Sequence, residues 1–285
     1  MLNLFKEIAF AASRVAFGEH LLGALDGWQR EILGDEESKR VLMVCSRQAG
    51  KSSIAAVAAL HRALYHPGSL VLCLAPSLRQ SQELMSKILG YYRDLDRPVE
   101  AIIEGRLNLE LVNGSRIVCL PGTEKTVRGF SGVDLLLLDE AARVDDELYL
   151  SVRPMLAVSG GTLMMMSSPF GQRGIFYEAY VSGEDWRRHH VPASQCPRIE
   201  KAFLAEERAA LGEWWYASEY EAKFEDVPDT LFPAELLQRM VTDEVEPLNL
   251  GGGPMVALEG TDLSPAVRKP GEALRLGGSF SLEYR

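Results

Sequence analysis

Four short runs constrain this chain more than anything else in it: VLMVC (41–45), LVLCLAP (70–76), VDLLLLDE (133–140) and TLMMMSSP (162–169). Each is apolar at consecutive positions, not at alternate ones. A strand with one face in water alternates, whereas a strand buried on both faces need not. Between the runs lie segments of helical period, among them SIAAVAALHRALY (53–65) and SQELMSKILGYYRDL (81–95). That alternation predicts a mainly parallel sheet covered by helices on both faces. WRRHHVPA (186–193) supplies a fifth strand, with its basic residues as a solvated strand end or a contact for DNA phosphates. Helices are expected over 3–17, from 25–33, and over 145–158, where Pro154 kinks or ends the helix. RLNLELVNGSRIVCLPG (106–122) reads as a hairpin around Asn113-Gly114, a pair suited to a tight two-residue turn. Residues 199–224 read as helical with a break near Gly212, and EWWY (213–216) as the packed face of that helix. From about 243 the chain turns rich in Gly and Pro and loses its period, the pattern of a linker and a weakly structured tail.

Composition narrows the class. The net charge of −10 argues against a protein coated in basic surface for nucleic acid, though not against a local basic patch or a motor that holds DNA weakly. No apolar run reaches the roughly 18–20 residues of a membrane span. The first twenty residues carry Lys6, Glu7 and Arg14 and read as an amphipathic helix rather than a signal peptide. Cys45, Cys73, Cys119 and Cys196 form no C-x-x-C pair, and the first three, which lie in apolar runs, read as buried free thiols of a reducing cytosol. His20, His61 and His66 are scattered and suggest no metal site.

The first apolar run leads into SRQAGKSS, then into a helix. Strand, glycine-containing loop, helix is the context of a phosphate-binding loop. Its backbone N–H groups and the helix N-terminus cradle phosphates. Gly50 lets the backbone approach, Lys51 reaches the outer phosphates, and Ser52 offers a hydroxyl to Mg²⁺. The strict pattern places a glycine where this chain has Cys45, and Arg47 adds a charge inside the loop. The third run ends in two acids. Asp139 is placed to hold the hydrated metal, and Glu140 to polarise an attacking water. An acid pair in this order belongs to RecA-like and helicase-like motors, and the N-K-x-D signature of small GTPases is missing. The fourth run ends in Ser167 and Ser168, hydroxyls suited to sensing the terminal phosphate or the water.

WQREIL, SRQAGKS, VRGFSGVDLLLLDEAARV and MMMSSPFGQRGIFYE, in this order, resemble the ATPase domain of the large terminase subunit of tailed bacteriophages and prophages. The later VPASQCPRI, FLAEERAALGEWWYASEYEAKFED and LF are similar to that family's lid. The resemblance covers about residues 20–235. That family's loop often lacks the first glycine and carries Arg-Gln before Gly-Lys, so Cys45 and Arg47 are expected. The resemblance implies a RecA-like P-loop NTPase fold with a small helical lid. By its motifs it implies Gln29, with Trp28 beside it, as an adenine contact. It implies Arg47, Gln48, Ala49, Gly50, Lys51 and Ser52 as the phosphate loop, with Ser52 and Asp139 on Mg²⁺. Glu140 stands as the catalytic glutamate and Ser167 and Ser168 as the coupling motif. Arg128 stands as an arginine offered across a subunit boundary. It further implies ATP as substrate, and double-stranded DNA, a portal protein and a small terminase subunit as partners. The subunits form a ring, a pentamer in the family, working in the host cytoplasm and transiently at the procapsid portal vertex.

On this reading 1–24 is an N-terminal helical segment, 25–195 the ATPase core, 196–242 the lid and 243–285 linker and tail. Large terminases usually add a two-metal nuclease domain after the lid. Asp262 in ALEGTDL faintly resembles its first acid, but the stretch after Phe232 is too short to complete it, so no nuclease activity is expected. Two rival readings stand beside the packaging motor. A helicase-like ATPase needs a second RecA-like half. A silent prophage remnant would tolerate loss of Lys51, Ser52, Arg128, Asp139 and Glu140, all of which are present.

Overall fold

The computed structural model describes residues 2–122, 127 and 129–225. They lie within one compact unit, Met1–Met240. The expected tail, 243–285 with Asp262, and the lid beyond 225 lie outside the described residues, as does Arg128.

Eight strands form one sheet: β1 Arg40–Cys45, β2 Leu70–Ala75, β3 Ala101–Glu104, β4 Asn108–Leu111, β5 Arg116–Pro121, β6 Leu135–Asp139, β7 Thr162–Ser167 and β8 Arg187–Val191. Their order is β3-β4-β5-β2-β6-β7-β1-β8. β5, β2, β6, β7, β1 and β8 run parallel, and β4 pairs antiparallel with both of its neighbours. Eight helices are described: α1 Leu2–Ala12, α2 Arg14–Leu22, α3 Gly27–Gly34, α4 Lys51–Tyr65, α5 Leu78–Asp94, α6 Asp146–Val152, α7 Gly174–Val181 and α8 Lys201–Glu219.

The apolar runs are buried as expected, and alternate residues serve different layers. Val41, Met43, Cys45, Val71, Cys73, Leu135, Leu137, Met164 and Met166 share one core with α2 to α5. Leu42, Val44, Leu72, Leu74, Leu136, Leu138, Leu163 and Met165 share a second with α6, α7 and the chain after α8. A strand with both faces in a core has no polar side to show, which is why these runs do not alternate. The fold is the RecA-like α/β architecture expected.

Local departures have local causes. The helix expected over 3–17 is two helices, because Ser13 adopts extended backbone and its hydroxyl accepts from the Ala16 N–H at 3.1 Å, capping α2. The hairpin closes through three loop residues instead of two. The Gly114 N–H donates to the Leu111 carbonyl at 3.0 Å, and Gly114 alone takes φ of 84°. Asn113 stays at negative φ, its amide donating to the Ala63 carbonyl at 2.9 Å while its oxygen accepts from the Ser115 N–H. A two-residue type I′ turn would need both residues left-handed. Pro154 ends α6 at Val152, and a short 3-10 turn follows over Arg153–Leu156. Gly212 breaks α8 with φ of 77°. Tyr216 is the packed residue of EWWY, whereas Trp215 is exposed. The edge strand β3 and helix α7 were not anticipated.

Candidate phosphate-binding and hydrolysis site

Register assembles the site. Val44 pairs with Ser167, and Asp139 pairs with Met166. The phosphate loop, the acids and the hydroxyls therefore leave the same edge of three adjacent strands, β6, β7 and β1. Cys45 is the last residue of β1 and is fully buried. Burial pushes its thiol up to about 12, so it stays an uncharged core group. The residue where the strict pattern has glycine is thus part of the sheet and need not bend.

The loop bends further on, at Gln48 (φ 57°) and Gly50 (φ 101°), and Gly50 caps α4. A Cβ at Gly50 would be strained and would stand 3.3 Å from Gln29 Nε2. Ser53 and Ile54 donate their N–H groups to the Gly50 carbonyl at 3.0 and 3.3 Å, so the N–H groups that open α4 ahead of them, on Lys51 and Ser52, are the ones that face the loop. Ala49 is buried; Arg47 and Gln48 are exposed.

Lys51, only 8% exposed, reaches Glu140 Oε1 at 3.0 Å. Glu140 Oε2 accepts from the Ser167 hydroxyl at 3.1 Å and lies 3.3 Å from Arg143. The Glu140 backbone is left-handed at φ 51°, a strain on the order of 1 kcal/mol that aims its carboxylate back over the strand ends. Asp139 is buried and accepts from the Glu140 N–H at 3.0 Å. Burial, then the neighbouring Glu140, push its carboxyl up to about 6 against the pull of Lys51 and Lys87. Ser52, Gln80, Lys87, Asp139 and Glu140 line a cavity of about 250 Å³. A buried acid and a hydroxyl facing one polar cavity fit a hydrated Mg²⁺. Among the described residues no group of three or more His, Cys, Asp or Glu stands together as a metal site. A hard cation here would take its other ligands from water and nucleotide oxygens, as Mg²⁺ commonly does.

Of the expected residues, Lys51, Ser52, Asp139, Glu140 and Ser167 come together. Ser168 is buried beside them, its carbonyl accepting from Ser167 at 2.7 Å. Arg47 does not touch the acids. Its Nε donates to Glu219 at 2.8 Å, and its N–H to the Glu219 carbonyl at 2.8 Å. Glu219 closes a chain to the acids through Arg143, 3.7 Å away, whose guanidinium lies over the Phe170 ring. Gln29 is buried and meets Gly50, while Trp28 is part of the core. Sequence reasoning missed Arg143, Glu219 and Arg198. Arg198 donates to the Ala49 carbonyl at 3.0 Å and lies 2.9 Å from Asp26. No sequence signal marks Glu219 or Arg198, whose partners lie far along the chain, whereas Arg143 stands only three residues after Glu140. At the basic strand end, Arg188 donates to the carbonyls of Ala179, Ser182, Glu184 and Trp186. No described helix is long and apolar enough to cross a membrane.

Residues 42–239 match the family model for the terminase large subunit, T4likevirus-type, N-terminal. Among curated proteins, the large terminase subunits of Thermus virus P23-45 and Thermus phage G20c are 26% identical over 206 residues, 63% of this chain and 42% of theirs. The match thus spans less than half of those relatives' length. Among solved structures, the ATPase domain of the Thermus phage P74-26 large terminase aligns with a TM-score of 0.64 at 22% identity, over 73% of this chain and 97% of that one. The large terminase of bacteriophage HK97 aligns at 0.62 and 17% identity, over 76% and 55%. That of a thermophilic bacteriophage, solved in complex with ADP, aligns at 0.58 and 11%, over 70% and 51%. With the sheet, the loop and the acid pair in place, the family match has one meaning: this chain belongs to the large terminase subunit family, in its N-terminal, ATPase-domain part.

Proposed function

We propose that the chain hydrolyses ATP as the motor subunit that drives double-stranded phage DNA into a procapsid. The observation that carries the hydrolytic reading is Glu140, held between Lys51 at 3.0 Å and Ser167 at 3.1 Å beside the buried Asp139. Phosphates seat on the amides of the loop and the first turn of α4. The outer phosphates then compete for Lys51, and its departure frees Glu140 Oε1 for the water while Oε2 keeps Ser167 and Arg143. Glu140 accepts the proton as the water oxygen attacks the terminal phosphorus and the bridging oxygen leaves with ADP. Ser52 and Asp139 would hold Mg²⁺, which when bound offsets charge gathering on the phosphate oxygens. Ser167, bonded to Glu140, registers whether that carboxylate is engaged, and Ser168 carries the change into the chain that follows. Glu219 and Arg47 join the end of α8 to the loop, so the segment 196–242 acts as a lid tied to nucleotide state. Arg128 supplies charge across a subunit boundary in a homo-oligomeric ring, a pentamer. The portal protein and the small terminase subunit are its partners, in the host cytoplasm and at the portal vertex.

The test is ATP hydrolysis against protein concentration for wild type, Glu140→Ala and Arg128→Ala, with and without DNA and portal. Turnover that rises with concentration, vanishes in Glu140→Ala and collapses in Arg128→Ala is expected. Turnover independent of concentration and of Arg128 sinks the shared site. No wild-type turnover under any condition sinks the motor.

A further inference from the structure

The two carboxylate oxygens of Glu140 keep different company. Oε1 faces Lys51 at 3.0 Å. Oε2 accepts from the Ser167 hydroxyl at 3.1 Å and from Arg143 Nη1 at 3.3 Å. The hydroxyl has one proton for two acceptors, and the Ser168 carbonyl is the nearer, at 2.7 Å. The guanidinium carries protons enough for every partner it has. Arg143 is therefore the firmer hold on Oε2.

The backbone puts Arg143 there. Glu140 opens a single 3-10 turn, Ala141–Arg143, and the Arg143 N–H donates back to the Glu140 carbonyl at 2.8 Å. Residues three apart in such a turn come nearly into line, so the guanidinium returns to the carboxylate. The guanidinium is itself held. Nη2 lies 3.7 Å from Glu219 Oε1, and Cζ stands 4.7 Å from the centre of the Phe170 ring. Phe170 follows Ser168 and Pro169 at the end of β7, and the Pro169 carbonyl accepts from the buried Ser218 hydroxyl at 2.8 Å. Two carboxylates and a ring, from three segments of the chain, thus fix one planar fork. A lysine ammonium carries the same charge but has no fork to divide between two acids and no plane to lay on a ring.

The last torsion of a glutamate is broad, so a carboxylate with no hold on either oxygen turns freely. When nucleotide draws Lys51 away, Oε1 is released and Oε2 is not. We infer that Arg143 is a positioning residue for hydrolysis: by pinning Oε2 it presents Oε1 to the attacking water. The inference rests on the reading of Glu140 as the general base. The water's proton passes to Oε1 as its oxygen bonds to the terminal phosphorus and the bridging oxygen leaves with ADP. Arg143 keeps its own protons throughout.

The experiment is single-turnover release of γ-labelled phosphate from ATP by the full chain, with Mg²⁺, portal and DNA. The proteins are wild type, Arg143→Met, Arg143→Lys, Glu140→Gln and the double variant Arg143→Met with Glu140→Gln, and ADP affinity is measured for each. Arg143→Met is expected to slow the chemical step on the order of 10²-fold, the cost of a misplaced group, with ADP affinity within about threefold of wild type. Arg143→Lys keeps the charge beside both acids and loses the fork, so it is expected to fold as wild type does and to slow the step about tenfold. A residue that acts through Glu140 has nothing to position once the base is gone, so the double variant is expected to match Glu140→Gln. If Arg143→Met slows Glu140→Gln by the same factor as wild type, Arg143 acts independently of the base and the inference is overturned. Arg143→Lys at the wild-type rate also overturns it, since charge alone then suffices. Glu140→Gln at the wild-type rate overturns the reading of Glu140 itself, a failure told apart because it involves no change at Arg143.

Discussion

The two ends of the parallel strands are both polar, and they are held differently. At the C-terminal end, charges pair with charges: Lys51 and Arg143 with Glu140, Arg47 and Arg143 with Glu219. At the N-terminal end, a cavity of about 210 Å³ is lined by Arg14, Asp35, His61, Arg62 and Thr162, among others. Here the buried groups mainly hold backbone, although Arg14 also lies 3.5 Å from the Glu36 carboxylate. Arg14 donates to the carbonyls of Leu33 and Asp35, and His61 meets the Phe10 carbonyl at 2.9 Å. These contacts dock α1, α2 and α3 onto α4. Side-chain pairs can be traded for a phosphate oxygen; a carbonyl contact has no such replacement. On the proposed function, nucleotide re-pairs the first end and the second stays as it is.

The comparison can be broken most sharply at Glu140. Glu140→Gln is expected to lower ATP turnover by about 10³-fold, the scale of a lost general base, while ADP affinity stays within a few-fold because Lys51 is released for phosphate. An equal loss of affinity would mean that the pair is structural. Next comes His61, which burial pushes down to about 4. The unfolded imidazole takes a proton below about 6.5, whereas the folded one does so only near 4. Its contribution is present above 6.5 and lost as pH falls toward 4, about 3 kcal/mol in all. Urea midpoints across that range should fall steeply in wild type and less in His61→Gln. The smallest contrast is between Arg14→Met, expected to cost about 2 kcal/mol for charged bonds to carbonyls, and Glu219→Gln, expected to cost about 1 kcal/mol or less. Arg47 is largely exposed, so its pair with Glu219 is screened by water. If Glu219→Gln proved the costlier change, the C-terminal edge would be as fixed as the other.

The candidate site was legible because its members ride on, or directly follow, the apolar strands. A run such as LLLLDE states both its burial and the point at which its acids emerge, and register does the rest. The residues around that site were not legible. Arg47 and Glu219 are 172 positions apart, and Arg198 and Ala49 are 149 apart. Neither arginine carries a pattern that names its partner. Ser13 and Asn113 misled in the opposite direction: each has a local hydrogen bond available that propensity alone does not weigh, and each took it. Arg128, the lid beyond 225 and the tail from 243 lie outside the described residues.

By itself the sequence determined a parallel sheet buried on both faces, a phosphate loop on its first strand and acids on a later one. These follow from short-range chemistry: consecutive apolar residues, a glycine before a helix, charges where a strand must end. The tertiary structure decided the strand order and the partners of each charge. A wholly apolar strand suits any interior place in a sheet, and a guanidinium suits any carboxylate or carbonyl within reach. Only the folded chain, by bringing distant segments together, selects among them.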